Sequence, residues 1–327
     1  MNYAYGLNYG LLKYEASLKK QRNLNSFNTE SAFNTDITKK IEGSSLNSSK
    51  KQKHPKIFNT STFNKYKKQN AQKAFDYCQR CFTKNPNDEN LMYYLGYCYQ
   101  DGIGTAINGK KAFECYKKAN ELDKTGVCYW NNLGSCYLDG IGTEVNGKKA
   151  FECYKKATEL DKAEASYWYN LGYCYDKGIG TEKNGKKVFE CYKKATELDK
   201  ANAFYLNCLA CCYIKGIGTA VNEKRGFEYC KKANDLDKKN SGLYLLGYCY
   251  QNGIGTEVNE NKAFECYKKA TELYKTVALY WYNLGYCYLN GIGTEVDKEK
   301  AKEMLQKALE LAPDFEGVKD LLAECEE

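Results

Sequence analysis

A chain of 327 residues, 28% of them charged, could form two ordinary domains, and no stretch of it approaches the apolar length of a membrane span. The formal charge of +8 is unevenly placed: residues 1–68 hold 13 Lys+Arg against 4 Asp+Glu, whereas residues 69–327 hold 36 against 37, so a broadly basic nucleic-acid-binding body is excluded. Seventeen cysteines would mark a disulfide scaffold in a secreted protein, but the opening Met1-Asn2-Tyr3-Ala4-Tyr5-Gly6-Leu7-Asn8 has no charged head followed by an apolar run and cleavage site. An intracellular, reducing location is therefore expected, the cytoplasm first and the nucleus as an alternative.

Residues 1–69 are rich in Asn, Ser, Thr and Lys, carry few apolar residues and show no sustained period, which predicts a largely disordered basic arm. Tyr9, Leu12 and Leu18 could mark a short helix over 9–20. Lys50-Lys51-Gln52-Lys53-His54-Pro55-Lys56 would serve as a nuclear address, an anionic-surface contact or a solubilising stretch, and the last needs the fewest assumptions. Ser17-x-x-Lys20 and Ser48-x-x-Lys51 mimic a serine nucleophile pair, yet a nucleophile needs a rigid pocket with oxyanion donors, which a disordered arm does not offer.

From Asn70 a repeat takes over. Ala74, Cys78, Cys81 and Pro86 match the second half of a unit and predict the first helix of an array. Six copies of a Gly-Ile-Gly-Thr loop then begin at Gly102, Gly140, Gly178, Gly216, Gly253 and Gly291, spaced 38, 38, 38, 37 and 38 residues apart, a period that means stacked repeats. Before each loop, Trp168, Leu171, Gly172 and Tyr175 and their equivalents share one side of a helix. The first glycine of the loop ends that helix in the left-handed conformation. Six residues later Asn108, Asn146, Asn184, Asn222, Asn259 or Asp297 can cap a second helix, in which Val188, Cys191, Tyr192, Ala195 and Leu198 form the buried stripe of copy three.

Copy four is the loosest. It has Arg225-Gly226 where copy three has Lys187-Val188, and Tyr229-Cys230 where copy three has Cys191-Tyr192, and it loses one residue before Leu243, so a kink is expected there. After Pro313, residues 314–327 predict a capping helix with Phe315, Val318, Leu321 and Leu322 inward and Glu324, Glu326 and Glu327 in water.

Chemistry-bearing patterns are few. Cys98, Cys136, Cys174, Cys212, Cys249 and Cys287 are one repeated position and Cys115, Cys153, Cys191 and Cys266 another, as expected of small apolar packing residues rather than disulfide partners. Gly104-Thr105-Ala106-Ile107-Asn108-Gly109-Lys110-Lys111 fits most of a phosphate loop, but a helix rather than a strand precedes it and no Ser or Thr follows Lys110. Cys78-x-x-Cys81 and Cys208-x-x-Cys211-Cys212 fall on helix packing positions, and His54 is the only histidine, so no metal, cofactor or catalytic set is expected.

Trp168, Leu171-Gly172, Tyr175, Val188, Tyr192 and Ala195 together resemble the tetratricopeptide pattern with four residues added between the helices. That longer loop and the Lys-Ala-x-x-x-Tyr-x-Lys-Ala second helix are similar to the Sel-one-like repeat family, a resemblance covering about residues 70–313. It implies an all-α fold, a right-handed α-α superhelix of six to seven two-helix repeats, and a non-enzymatic adaptor role in signalling, protein quality control or cell-wall pathways. In tetratricopeptide-like arrays the first helix of each unit lines the concave face, with the positions two before and two after its leucine pointing inward. Here those pairs are Tyr93 and Tyr97, Asn131 and Ser135, Tyr169 and Tyr173, Asn207 and Cys211, Tyr244 and Tyr248, Tyr282 and Tyr286.

The expected partner is a peptide or helix segment of another protein, held by rigid aromatic surface and amide groups. The competing explanation is that the tyrosines only stack on one another between units. Stacking of RNA bases on those rings is the alternative function, and it requires neighbouring lysines, of which the groove positions hold none. The sequence names neither the partner nor the oligomeric state.

Overall fold

The computed structural model describes residues 58–237, 242–315 and 317–326. Residues 1–57 of the expected disordered arm, with its short helix, the two Ser-x-x-Lys pairs, the basic cluster and His54, lie outside the described residues, whereas residues 58–69 are described and helical over Thr60–Gln69. Within them the chain is all helix, with fifteen α-helices and no strand. It forms two compact units, residues 58–198 and residues 199–326.

The first unit opens with α1 (Thr60–Gln69) and α2 (Ala71–Lys84). Three repeats follow, α3 (Glu89–Asp101) with α4 (Gly109–Leu122), α5 (Val127–Asp139) with α6 (Gly147–Leu160), and α7 (Ala165–Lys177) with α8 (Gly185–Leu198). The second unit comprises α9 (Ala203–Lys215) with α10 (Glu223–Leu236), α11 (Leu243–Asn252) with α12 (Glu260–Leu273), α13 (Ala278–Asn290) with α14 (Lys298–Leu311), and α15 (Val318–Glu326). In each repeat the first helix, A, packs most closely on its own second helix, B.

All six A-to-B loops are built alike. The first glycine caps helix A in the left-handed region, with φ between 67° and 70°, and donates its N–H to the carbonyl of the repeated cysteine four residues back. The cap asparagine or aspartate then accepts from the backbone N–H three residues on, as in Lys111 N to Asn108 Oδ1 at 3.0 Å and Lys300 N to Asp297 Oδ1 at 2.9 Å. Its own N–H donates back to helix A, to the carbonyl of Tyr99 at 2.8 Å in the first copy and of Tyr288 at 2.9 Å in the sixth. Both ends of the loop are thereby satisfied from within the repeat.

The second glycine has a different task. Gly142 has φ +69°, and a Cβ there would collide with the backbone of Gly109 and Lys110, the first turn of the preceding B helix. Gly104, Gly180, Gly255 and Gly293 meet the preceding B helix in the same way. Loop backbone thus sits directly on helix backbone between neighbouring repeats, an approach that only glycine permits.

Side chains complete the repeat-to-repeat joint. Phe75, Phe113, Phe151, Phe227 and Phe264 of one B helix meet edge-on, at 5.3–5.5 Å, the tyrosines at 99, 137, 175, 250 and 288 of the following A helix. A cation from the A helix's own partner also lies over each such ring, among them Lys187 Nζ at 4.7 Å from the Tyr175 centroid. In copies one, two, three and five the glycine of Leu-Gly lets a B-helix tyrosine lie against helix A, and Tyr116, Tyr154 and Tyr267 reach 0% exposure.

The described chain starts before the expected boundary at Asn70. Helix α1 is ordered by Phe63, fully buried with its ring 4.7 Å from Tyr94, and by Phe58, 5.5 Å from Tyr77. Asn70 alone joins α1 to α2, closing one helix through its N–H and opening the next through its side chain. At the other end α15 is more than a cap. Leu322-Ala323-Glu324-Cys325 stands 38 residues after Leu284-Gly285-Tyr286-Cys287, so α15 occupies the A position of a seventh copy.

No cysteine among the described residues forms a disulfide, and most are buried. Burial pushes the Cys136, Cys153, Cys191 and Cys287 thiols up to about 12, against an ordinary value of 9.0. A raised folded-state value stabilises the fold fully below pH 9 and progressively less as pH climbs toward 12, because the unfolded chain there binds fewer protons than the folded one. Urea midpoints should therefore hold steady from pH 7 to 8.5 and fall steeply above pH 9.5. A flat profile to pH 11 would show that these thiols ionise freely in the folded chain.

Candidate partner-binding face

The A helices carry the candidate residues in two rows, one two residues before and one two residues after the repeated leucine. The earlier row is mostly packed inside. Tyr169 is 5% exposed and stacks on Tyr192 at 5.8 Å; Tyr244 is 3% exposed, with Tyr267 at 6.1 Å and Tyr280 at 6.2 Å. Tyr93 lies half-buried between Tyr116 at 5.9 Å and Tyr129 at 5.8 Å. Asn207 is 1% exposed and faces Gly242, whose lack of a side chain makes room for its amide.

Tyr169, Tyr244 and Asn207 therefore do not line a groove as expected. The spacing that puts them on the A face also aims them at the tyrosine or glycine of a neighbouring helix. Asn131 is committed as well, since its Oδ1 accepts from Asn170 Nδ2 of the next repeat at 2.9 Å.

The later row stays half-exposed: Tyr97, Ser135 and Tyr173 in the first unit, Cys211, Tyr248 and Tyr286 in the second. Tyr282, from the earlier row, joins them, half-buried and edge-on to Phe315 at 5.0 Å. Ser135 Oγ lies 3.1 Å from Tyr154 OH. Burial is the main cause that holds the Tyr248 and Tyr282 phenols above 10.0, with Cys249 adding at Tyr248 and Glu324 and Asp320 adding at Tyr282. Near neutral pH both rings are neutral hydroxyl donors.

Two lysines stand beside the later row, although the groove positions themselves hold none. Lys67 of α1 donates to Tyr97 OH at 2.7 Å and sits 4.7 Å from its ring centroid. Lys177 is 5.9 Å from the Tyr173 centroid and 2.8 Å from the Asp176 carboxylate. Neither was legible in groove positions, because Lys67 comes from a helix outside the repeat pattern and Lys177 from four residues further along its own.

A rival surface is removed by its packing. Ile107, Val145, Val221, Val258 and Val296 are 58–73% exposed, but each lies over the first glycine of its own loop, as Val145 Cγ2 does 3.1 Å from where a Gly140 Cβ would be. Lys183 gives its aliphatic stem to the same task in copy three.

The Sel1 repeat pattern matches residues 91–124, 131–162, 169–200, 209–238, 240–274 and 282–313, more than half of the chain. The chain belongs to the Sel1 repeat family. Each match takes in most of one A helix and its B helix, so the family's unit is the hairpin described above, while α1, α2 and α15 lie outside it.

Among solved structures, a Sel1 repeat protein from Oxalobacter formigenes superposes with a TM-score of 0.64 at 24% identity, covering 76% of this chain and 95% of that one. The protective antigen c5321 of uropathogenic Escherichia coli, which displays the same repeat fold, gives 0.58 at 22% identity over 77% of this chain and 53% of its own. The Cut9-Hcn1 hetero-tetramer structure gives 0.62 at 15% identity over 83% and 50%. These likenesses establish a Sel1 and tetratricopeptide-like helical-repeat solenoid. No curated protein matches the chain.

Sel1 repeats generally mediate protein–protein interaction, and scaffolds of this family are typically non-enzymatic. Among the described residues no helix is long and apolar enough to cross a membrane, and no three His, Cys, Asp or Glu side chains are grouped to hold a metal ion.

Proposed function

We propose that this Sel1 repeat protein is a non-enzymatic adaptor, acting in intracellular signalling, in which the A-helix face of each unit can hold an extended or helical segment of another protein. The observation that carries the reading is the half-exposure of Tyr97 and Tyr173 on α3 and α7 of the first unit and of Tyr248 and Tyr286 on α11 and α13 of the second, with buried tyrosines such as Tyr169 and Tyr244 on the same helices. A ring held beside such neighbours has little rotamer freedom left to lose when a partner arrives, and its hydroxyl supplies one directional bond. The inner residues Tyr93, Tyr169 and Tyr244 are then supports, and Asn131 and Asn207 hold neighbouring helices rather than the partner.

Nucleic-acid binding is the weaker reading. The two lysines near the rings are engaged by Tyr97 and Asp176, and the face in the second unit ends in carboxylates rather than cations.

The test is a pull-down from the native cell type with the full chain and a Tyr173→Ala/Tyr248→Ala/Tyr286→Ala variant. These rings are half-exposed, so helical content should be kept while a specific protein partner is lost by at least tenfold, as expected for truncation of aromatic anchors. Undiminished recovery by a folded variant would overturn the proposal.

A further inference from the structure

The face of the second unit ends differently from the rest. Asp320 and Glu324 stand 38 residues after Tyr282 and Tyr286, so on α15 two carboxylates take the positions that tyrosines hold on α13. Both are exposed, and no cation pairs with either among the described residues. Glu326, two residues on, is held by Lys302 at 2.8 Å, so a lysine is used close by without meeting them.

This arrangement burdens the free protein. Like charges four residues apart on one helix repel, and while the helix dipole favours Asp320 in the first turn of α15, it disfavours Glu324 in the last. Both carboxylates act on Tyr282, so they belong to the same stretch of surface as the rings.

We infer that the A-helix face of α13 and α15 seats a partner segment carrying an arginine or lysine, with the cation between Asp320 and Glu324 and the neighbouring part of the segment on Tyr286 and Tyr282. The inference rests on the protein-segment reading above and adds the charge of the partner. A cation there relieves the i,i+4 repulsion and gains the ring faces as well as two carboxylates, which selects a basic segment over a neutral one of the same shape.

The experiment selects twelve-residue peptides from a displayed library on the full chain, then measures the binding of the enriched peptides to variants. Enrichment of Arg or Lys at one position is expected, with binding weakened about tenfold by Asp320→Asn/Glu324→Gln and by 300 mM salt, and the thermal midpoint of that variant unchanged or raised. Peptides that lose binding to Tyr248→Ala/Tyr286→Ala but ignore the carboxylate variant would overturn the inference and leave the protein-segment reading standing. Peptides indifferent to both sets would overturn both. A peptide spanning residues 44–58 of this chain that binds with the same carboxylate dependence would assign the seat to the chain's own basic stretch and overturn the assignment to a foreign partner.

Discussion

Gly142→Ala is expected to destabilise the fold by about 3 kcal/mol, whereas Gly140→Ala two residues earlier should cost only about 1 kcal/mol. Both glycines are left-handed, at φ +70° for Gly140 and +69° for Gly142, so each replacement bears the clash between an L side chain and its own carbonyl. The surroundings differ. A Cβ on Gly140 would meet a methyl of Val145 at 3.1 Å, the movable end of an exposed side chain, whereas a Cβ on Gly142 would meet the Gly109 and Lys110 backbone. Helix backbone cannot yield without separating two repeats, and overpacking of that kind adds about 1–3 kcal/mol. Urea midpoints of the two variants measure the difference. Equal losses would show that the second glycine, like the first, is retained for its dihedral angles alone.

The second large effect concerns copy four. Gly172→Ala alone should cost about 2 kcal/mol, because the new methyl would sit 2.8 Å from Tyr192 Cε1 and 2.9 Å from Cys191 Cβ. Copy four carries that methyl as Ala210, and it places Cys230, 1% exposed, where copy three has Tyr192. The displaced ring is Tyr229, which stacks at 5.7 Å and 4° on Tyr213. Transplanting the solution as Gly172→Ala/Cys191→Tyr/Tyr192→Cys should therefore recover about 1 kcal/mol of what the single change loses. The swap without the alanine should itself destabilise by about 2 kcal/mol, since it leaves a gap where Tyr192 packed. Strict additivity of the three variants in thermal melts would remove the compensation argument.

The two cases divide what could be read in advance from what could not. The first glycine, the cap asparagine and the buried stripe of each B helix were legible because each depends on its own few residues: a φ angle, an oxygen three residues from an N–H, a 3.6-residue period. The second glycine looked like part of the same turn, and its partner lies more than thirty residues upstream. The Tyr229-Cys230 order looked like slackness and is a matched exchange with Ala210.

The candidate site was half legible. Spacing placed both rows on the A face, but only packing separates Tyr169 and Tyr244, enclosed by B-helix rings, from Tyr173 and Tyr248, which stay half-exposed. Lys67 was hidden because α1 has no loop signature and, at ten residues, is too short to be stable without Phe58 and Phe63 docking on Tyr77 and Tyr94. Asp320 and Glu324 could have been found by carrying the 38-residue step one copy further.

By itself the sequence determined the repeat length, the two helices of each copy, their caps and the cysteine packing positions, since local geometry and a fixed period need no knowledge of neighbours. Tertiary structure alone decided which tyrosines are support and which are surface, why the second glycine is needed, and where the cations and carboxylates stand beside the exposed rings. Those outcomes depend on side chains brought together from different repeats, and a one-dimensional pattern gives the direction in which a side chain leaves its helix but not what it meets.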